Sequence, residues 1–330
     1  MTPRQWIASY FTLTGLFLVL YFVGFRSEAV YSLSQNAYTY DHGCWVTSDP
    51  EVVILGSSMA FHGIIPEIIA RENGLAPGAV VNLGSDGATP VQTYITLQRN
   101  AERLKSARLF YLTLDPWVFS EGYYKNSAYE RVYWSYGQFA AFAAENEVPN
   151  NYFFPGRMFV NNLSRTGCRE KAVADYGYLP LYERSTNPEK FRLATQYFQQ
   201  EGRYGISAVQ MDYLARIAER IAAWGGQLIL VTTPKHPDHV AEFATLTEFH
   251  RAFETRLAAA VGEVPMVGSI HSEDYGIVPE EFVDGTHLLH SGAHKFTAAA
   301  FSDLAQHQRL SPRPLRLLQR SVLDGMGEVP

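Results

Sequence analysis

Four short apolar runs, each ending where glycine or polar residues take over, constrain this chain more than anything else in it. They are residues 51–56 (EVVILG), 80–84 (VVNLG), 108–114 (RLFYLTL) and 227–232 (QLILVT). A continuous apolar run of this length reads as a strand covered on both faces, which is the habit of parallel sheets. Between the runs the spacing becomes helical. Residues 60–73 are helical in period and stop at Gly74, and Thr89 with Pro90 reads as the N-cap and first position of a helix reaching about Leu104. Leu214, Ile217, Ile221 and Trp224 share one helical face ahead of Gly225 and Gly226. Residues 243–261 read as a further helix, 265–270 as a fifth strand, and Ser291 as the cap of a last helix to about His307. Strand and helix in alternation predict an α/β fold: a three-layer sandwich with a central parallel sheet and helices on both faces.

In such sheets ligands sit beyond the carboxyl ends of the strands. The polar residues that follow the runs are therefore the ones to weigh. Ser57 and Ser58 follow the first, Gly84 to Gly87 the second, Asp115 the third, and Thr233, Lys235 and His236 the fourth. Ser58 would open a helix, where free N–H groups and the helix dipole favour developing negative charge, and its own N–H can donate to an oxyanion. A serine there can equally be a plain N-cap. Late in the chain, residues 282–288 read FVDGTHL. The spacing of three between Asp284 and His287 lets the carboxylate fix the imidazole tautomer, leaving the other nitrogen to take a serine proton. An Asp-Gly turn with an incidental histidine is the plainer alternative. Lys235 and His236 are candidates for touching an anionic or polar substrate, against a solvated loop. His62, four residues past Ser58, reads as a helix-surface residue.

Composition narrows the class. With 330 residues, 47% of them hydrophobic, the chain can bury a large core, and a net charge of −6 with mixed signs offers no basic stripe for nucleic acid. Histidines recur at His236 and His239 and at His287, His290 and His294, but no His-Glu-x-x-His is present, and no metal site is expected. Gly84 to Gly87 lacks the Gly-x-Gly of a dinucleotide turn and there is no P-loop, so no cofactor is expected. Cys44 and Cys168 are the only cysteines; in an exported domain they could pair, or stay separate buried thiols.

Residues 6–25 (WIASYFTLTGLFLVLYFVGF) are apolar and uncharged, about the length that spans a bilayer core. They read as an uncleaved anchor with the N-terminus inside, a cleaved signal being the competing reading and a buried helix a third. The first two export the rest. The expected layout is an anchor at 1–26, a linker at 27–50, a catalytic domain at 51–310 and a polar tail at 311–330. Within the domain, residues 117–205 are an aromatic-rich insertion, serving as a lid or substrate wall, or as a cap with its own core.

Taken together, Gly-Ser-Ser after the first strand, Asn-Leu-Gly after the second and Asp-x-x-His before the last helix resemble the SGNH (GDSL) hydrolase superfamily. The resemblance covers about residues 51–305. It implies Ser58 as nucleophile, His287 and Asp284 as base and acid, and Gly84 as an oxyanion donor through its N–H. One block departs. Where the family usually has an asparagine donor, the third strand here ends in Asp115, and an ionised carboxylate cannot donate to an oxyanion. Either Asp115 is protonated, or it points elsewhere, or another group donates. The third strand ending in Pro116 and Trp117, the Gly-Ser-Ser block, and Asp-x-x-His-Leu followed by Gly292 and Phe296-Thr297 look like the membrane-anchored subgroup that modifies cell-surface polymers, which the N-terminal run also fits: DltD-like proteins of D-alanine transfer to teichoic acid, and the AlgJ and AlgX type of exopolysaccharide O-acetylation. That resemblance implies a bacterial inner-membrane protein with its domain on the periplasmic or extracellular side. It also implies an acylated glycan or polysaccharide substrate and a membrane-bound O-acyltransferase as partner. A degenerate fold that only binds polymer or scaffolds a complex is the rival, and a plain esterase a third reading.

Overall fold

The computed structural model describes residues 3–19, 46, 49–121, 176–192 and 205–310. The chain divides into two units, one containing residues 1–41 and 128–167 and the other residues 42–127 and 168–330. Of the first unit the described part is helix α1, Pro3–Val19, whose Trp6, Tyr10, Phe11, Leu13, Leu16 and Phe17 side chains are exposed. Among the described residues no helix is long and apolar enough to cross a membrane. The apolar run expected to do so extends to residue 25, beyond the described stretch. Cys44, Cys168, most of the aromatic insertion and the tail at 311–330 also lie outside the described residues.

The second unit is built on five parallel strands: β1 (Val52–Leu55), β2 (Val80–Asn82), β3 (Leu109–Thr113), β4 (Gln227–Thr232) and β5 (Met266–Gly268). They lie in the order β2-β1-β3-β4-β5. Val52 is level with Val80 on one side and Leu109 on the other, Leu109 with Gln227, and Leu230 with Met266. Every residue of β1, β2 and β3 is buried, which is why these strands lack polar alternation. Alternate residues serve opposite faces. Ile54, Tyr111, Ile229 and Val231 enter one apolar cluster with Phe296 and Phe301. On the other side, Phe110 meets Trp224 at 6.0 Å between ring centroids.

The first of these faces is covered by α2 (Ser58–Gly63), α3 (Pro66–Glu72) and α9 (His290–Ala300). The other carries α4 (Pro90–Arg99), α6 (Ala208–Ala223) and α8 (Thr247–Val261), which pack on one another in series. Shorter helices α5 (Ala101–Leu104), α7 (Pro237–Phe243) and α10 (Leu304–His307) fill the connections.

Four of the expected helices differ in extent. Residues 60–73 form α2 and α3, because Ile64 and Ile65 are extended ahead of Pro66, as a residue preceding proline prefers. The helix from Pro90 pauses at Asn100, whose Nδ2 donates back to the Thr96 carbonyl at 2.9 Å. Phe243 closes α7 rather than opening the next helix, and α8 starts at Thr247. Ser291 lies inside α9, whose N-cap is Leu289.

Because β2 and β3 flank β1 on opposite sides, the chain direction across the sheet reverses between β1 and β3. That reversal opens a crevice at the strands' carboxyl ends. Ser58 and Asp115 both emerge there.

Candidate active site

The nucleophile candidate is held by a turn with no room for a side chain. Gly56 has φ +127°, and a Cβ there would sit 2.1 Å from Thr113 Oγ1 of the neighbouring strand. Only glycine meets both conditions. Ser57 then caps α2, its Oγ accepting from the Met59 N–H at 3.2 Å, and Ser58 is the first helical residue. The far end of α2 is tied to β2, since Asn82 Nδ2 donates to the carbonyls of Ala60 (2.7 Å) and Ile64 (2.9 Å).

The base and its orienting acid come from the turn between β5 and α9. Phe282 bridges Leu288, and the Val283 N–H donates to the His287 carbonyl at 2.8 Å, closing the turn. Inside it, Asp284 Oδ1 accepts from the backbone N–H groups of Thr286 (2.8 Å) and His287 (2.9 Å), while Oδ2 lies 2.8 Å from His287 Nδ1. The opposite ring nitrogen, Nε2, is 2.8 Å from Ser58 Oγ, across 229 residues of sequence. The carboxylate beside Nδ1 assigns the ring proton there, so Nε2 accepts from the Ser58 hydroxyl. Burial alone would raise the Asp284 carboxyl. The hydrogen bond and charge of His287, with the two backbone N–H donors, outweigh it and hold the group well below the usual carboxylate range. A fixed anion behind an imidazole that faces a hydroxyl is the arrangement of a general base serving a nucleophile.

The other expected residues take different places. Gly84 was expected to offer its N–H to an oxyanion, but that N–H is committed to Asn82 Oδ1 at 2.9 Å. Its glycine serves close approach instead, as a Cβ would lie 2.6 Å from Ala60 Cβ and 2.7 Å from Phe61 N of α2. Asp115 points elsewhere: it is 1% exposed and accepts from the Ser57 hydroxyl and from Lys235 Nζ, the latter at 3.2 Å. Lys235 is not a solvated loop residue. It is buried, donates to Thr233 Oγ1 at 2.7 Å, and lies 4.8 Å above the Trp117 ring. Burial pushes its ammonium below the ordinary value, while Asp115 acts the other way. His236 is likewise buried as the N-cap of α7, packed between the rings of Phe191 and Phe282, and burial lowers its imidazole.

Two further histidines take places other than those the sequence suggests. His62 is 7% exposed, not a surface residue. Its Nδ1 donates to the Leu179 carbonyl at 2.7 Å, and its Nε2 meets Asp86 at 2.8 Å, on the loop after β2. The spacing of four from Ser58 is the available signal, since it places both on one helix face. His239 is 4% exposed, and among the described residues neither ring nitrogen has a hydrogen-bond partner. Burial and the nearby Lys235 push its imidazole down to about 3. Among the described residues no group of three or more His, Cys, Asp or Glu is placed to hold a metal ion.

No protein-family model matches this chain, and no curated protein matches it. Among solved structures, the chain is similar to a "putative acylhydrolase" from Bacteroides fragilis NCTC 9343, at 12% identity over 82% of this chain and 93% of that one, TM-score 0.36. It is also similar to a GDSL-like lipase from Bacteroides thetaiotaomicron VPI-5482, at 13% identity over 87% of this chain and 100% of that one, TM-score 0.35. With identity and TM-score this low, the chemistry stands on the site's own geometry.

Proposed function

We propose that the chain is a serine acyltransferase or carboxylic ester hydrolase of SGNH type, working on O-acyl groups of an exported polysaccharide. The observation that carries this reading is the Ser58–His287–Asp284 chain, two successive contacts of 2.8 Å that leave one hydroxyl facing one base. In the first step the Ser58 oxygen attacks the acyl carbonyl while its proton passes to His287 Nε2. The donor's alkoxide then leaves with that proton, and an ester remains on Ser58. In the second step an acceptor hydroxyl gives its proton to His287 and takes the acyl group, and Ser58 recovers its own. Water as acceptor makes the protein an esterase; a sugar hydroxyl makes it a transferase. Asp284 stays charged throughout and stabilises the imidazolium.

The uncharged run at 6–25 and the exposed apolar side chains of α1 favour a membrane-attached chain. The domain would then face outward, beside a membrane-bound O-acyltransferase that supplies acyl groups. A fluorophosphonate probe tests the chemistry: intact-mass analysis should show one adduct, mapped to Ser58 and absent from Ser58→Ala. An unlabelled wild-type protein would turn the reading toward a polymer-binding or scaffolding role. Competition between water and a glycan for an acyl group loaded from p-nitrophenyl acetate separates esterase from transferase.

A further inference from the structure

Asp115, the residue that breaks the family pattern, has its carboxylate fully engaged. One oxygen takes the Ser57 hydroxyl and the other takes Lys235 Nζ at 3.2 Å. Lys235 arrives from the loop after β4, is 3% exposed, and has its other contacts in Thr233 and the Trp117 ring. Ser57 has a single proton, which goes to Asp115. Its lone pairs therefore face away from the carboxylate, where the Met59 N–H arrives at 3.2 Å. A directed series of contacts thus runs from the end of β4, past the end of β3, into the first turn of α2, which begins with Ser58.

Stability alone does not call for such a series. A buried ion pair gives little net stabilisation, and apolar side chains of like volume fill the same space about as well. Apolar side chains cannot fix the rotor of a capping hydroxyl. A carboxylate can, because it only accepts and has no amide end to flip, and at this depth it needs the counter-charge that Lys235 brings. We infer that Asp115 and Lys235 are positioning residues: through the Ser57 cap they hold Ser58 at reacting distance from His287. The inference rests on the reading of Ser58 as the nucleophile.

The test uses the full chain, a fluorophosphonate probe and p-nitrophenyl acetate, with Ser57→Ala, the apolar double variant Asp115→Leu/Lys235→Met, and the triple combination. Ser57→Ala and the double variant should each slow labelling of Ser58 by ten- to a hundred-fold. kcat should fall by the same factor, with KM within twofold, and the triple variant should be no slower than the slower of the two. That non-additivity is the signature of one series of contacts, and a general loosening of the fold would instead raise KM and compound the losses. The positioning role is overturned if the double variant unfolds cooperatively yet labels Ser58 within twofold of wild type. If the double variant does not fold, Ser57→Ala decides by the same limits. Labelling that survives in Ser58→Ala sinks the nucleophile reading itself, and the positioning role with it; loss of the kinetic effect with labelling still at Ser58 sinks the positioning role alone.

Discussion

Two histidine–aspartate pairs lie side by side in this molecule, and only one of the two rings also faces a hydroxyl. The rings of His62 and His287 are 6.1 Å apart, and each has a nitrogen 2.8 Å from a carboxylate oxygen. The difference lies at the other nitrogen. His287 Nε2 faces the Ser58 hydroxyl, which can donate. His62 Nδ1 faces the Leu179 carbonyl, which can only accept, so that nitrogen donates. Its other nitrogen is turned to Asp86, so both ring nitrogens face acceptors rather than a hydroxyl. The carboxylates differ too: Asp284 sits in a closed turn with backbone donors, whereas Asp86 is on the exposed loop after β2. Closeness of histidine to aspartate therefore does not make a base; what the second nitrogen meets does.

The sharpest way to break this comparison is to remove each ring. Ser58→Ala and His287→Gln should each lower kcat on p-nitrophenyl acetate by about 10⁴-fold or more, and Asp284→Asn by about 10³- to 10⁴-fold, in line with triads where the orienting acid fixes the tautomer. His62→Gln should fall by less than about tenfold, since general-base work, typically worth 10²- to 10⁴-fold, is not being removed. Its larger cost should be in stability, about 1 kcal/mol for leaving the half-buried Leu179 carbonyl without a donor, measured by urea unfolding. A His62 variant as dead as the His287 variant would assign the base wrongly. Asp86→Asn keeps an acceptor for His62 and should stay within about twofold of wild type, as substitutions at exposed positions usually do.

The same comparison shows what the residues alone disclose. The strands are legible because burial on both faces writes itself as unbroken apolar runs, and the crevice follows from strand order. Ser58, Asp284 and His287 are legible because turn and cap chemistry is local to each. The break at Pro66 also carries a local signal, the proline itself, which helical periodicity across residues 60–73 masks. What is not legible is pairing across the sheet. Asp115 and Lys235 are 120 residues apart, and nothing near either says that one neutralises the other. Nor does Asn-Leu-Gly disclose that Asn82 takes the Gly84 N–H for itself, because the same three residues would serve an open loop equally well.

His239 extends the comparison to a ring with neither kind of partner among the described residues, and its effect should be the smallest and the most pH-dependent. It lies against the Gly285 backbone and 5.6 Å from the Trp117 ring, with Lys235, Asp284 and His236 as its charged or titratable neighbours. Its imidazole falls from 6.5 to about 3 on folding. Between those values the unfolded chain binds a proton that the folded chain does not, so stability falls as pH drops from 6.5 toward 3 and levels below. At pH 5 the gap is about 1.5 pKa units, or about 2 kcal/mol at 1.36 kcal/mol per unit. His239→Phe, which keeps the ring's bulk and has no proton to bind, should therefore narrow the difference in unfolding free energy between pH 7.5 and pH 5 by about that amount. Urea unfolding at the two pH values measures it. An unchanged difference would mean that the ring finds a proton or a partner in the folded state, and it would no longer stand apart from the other two.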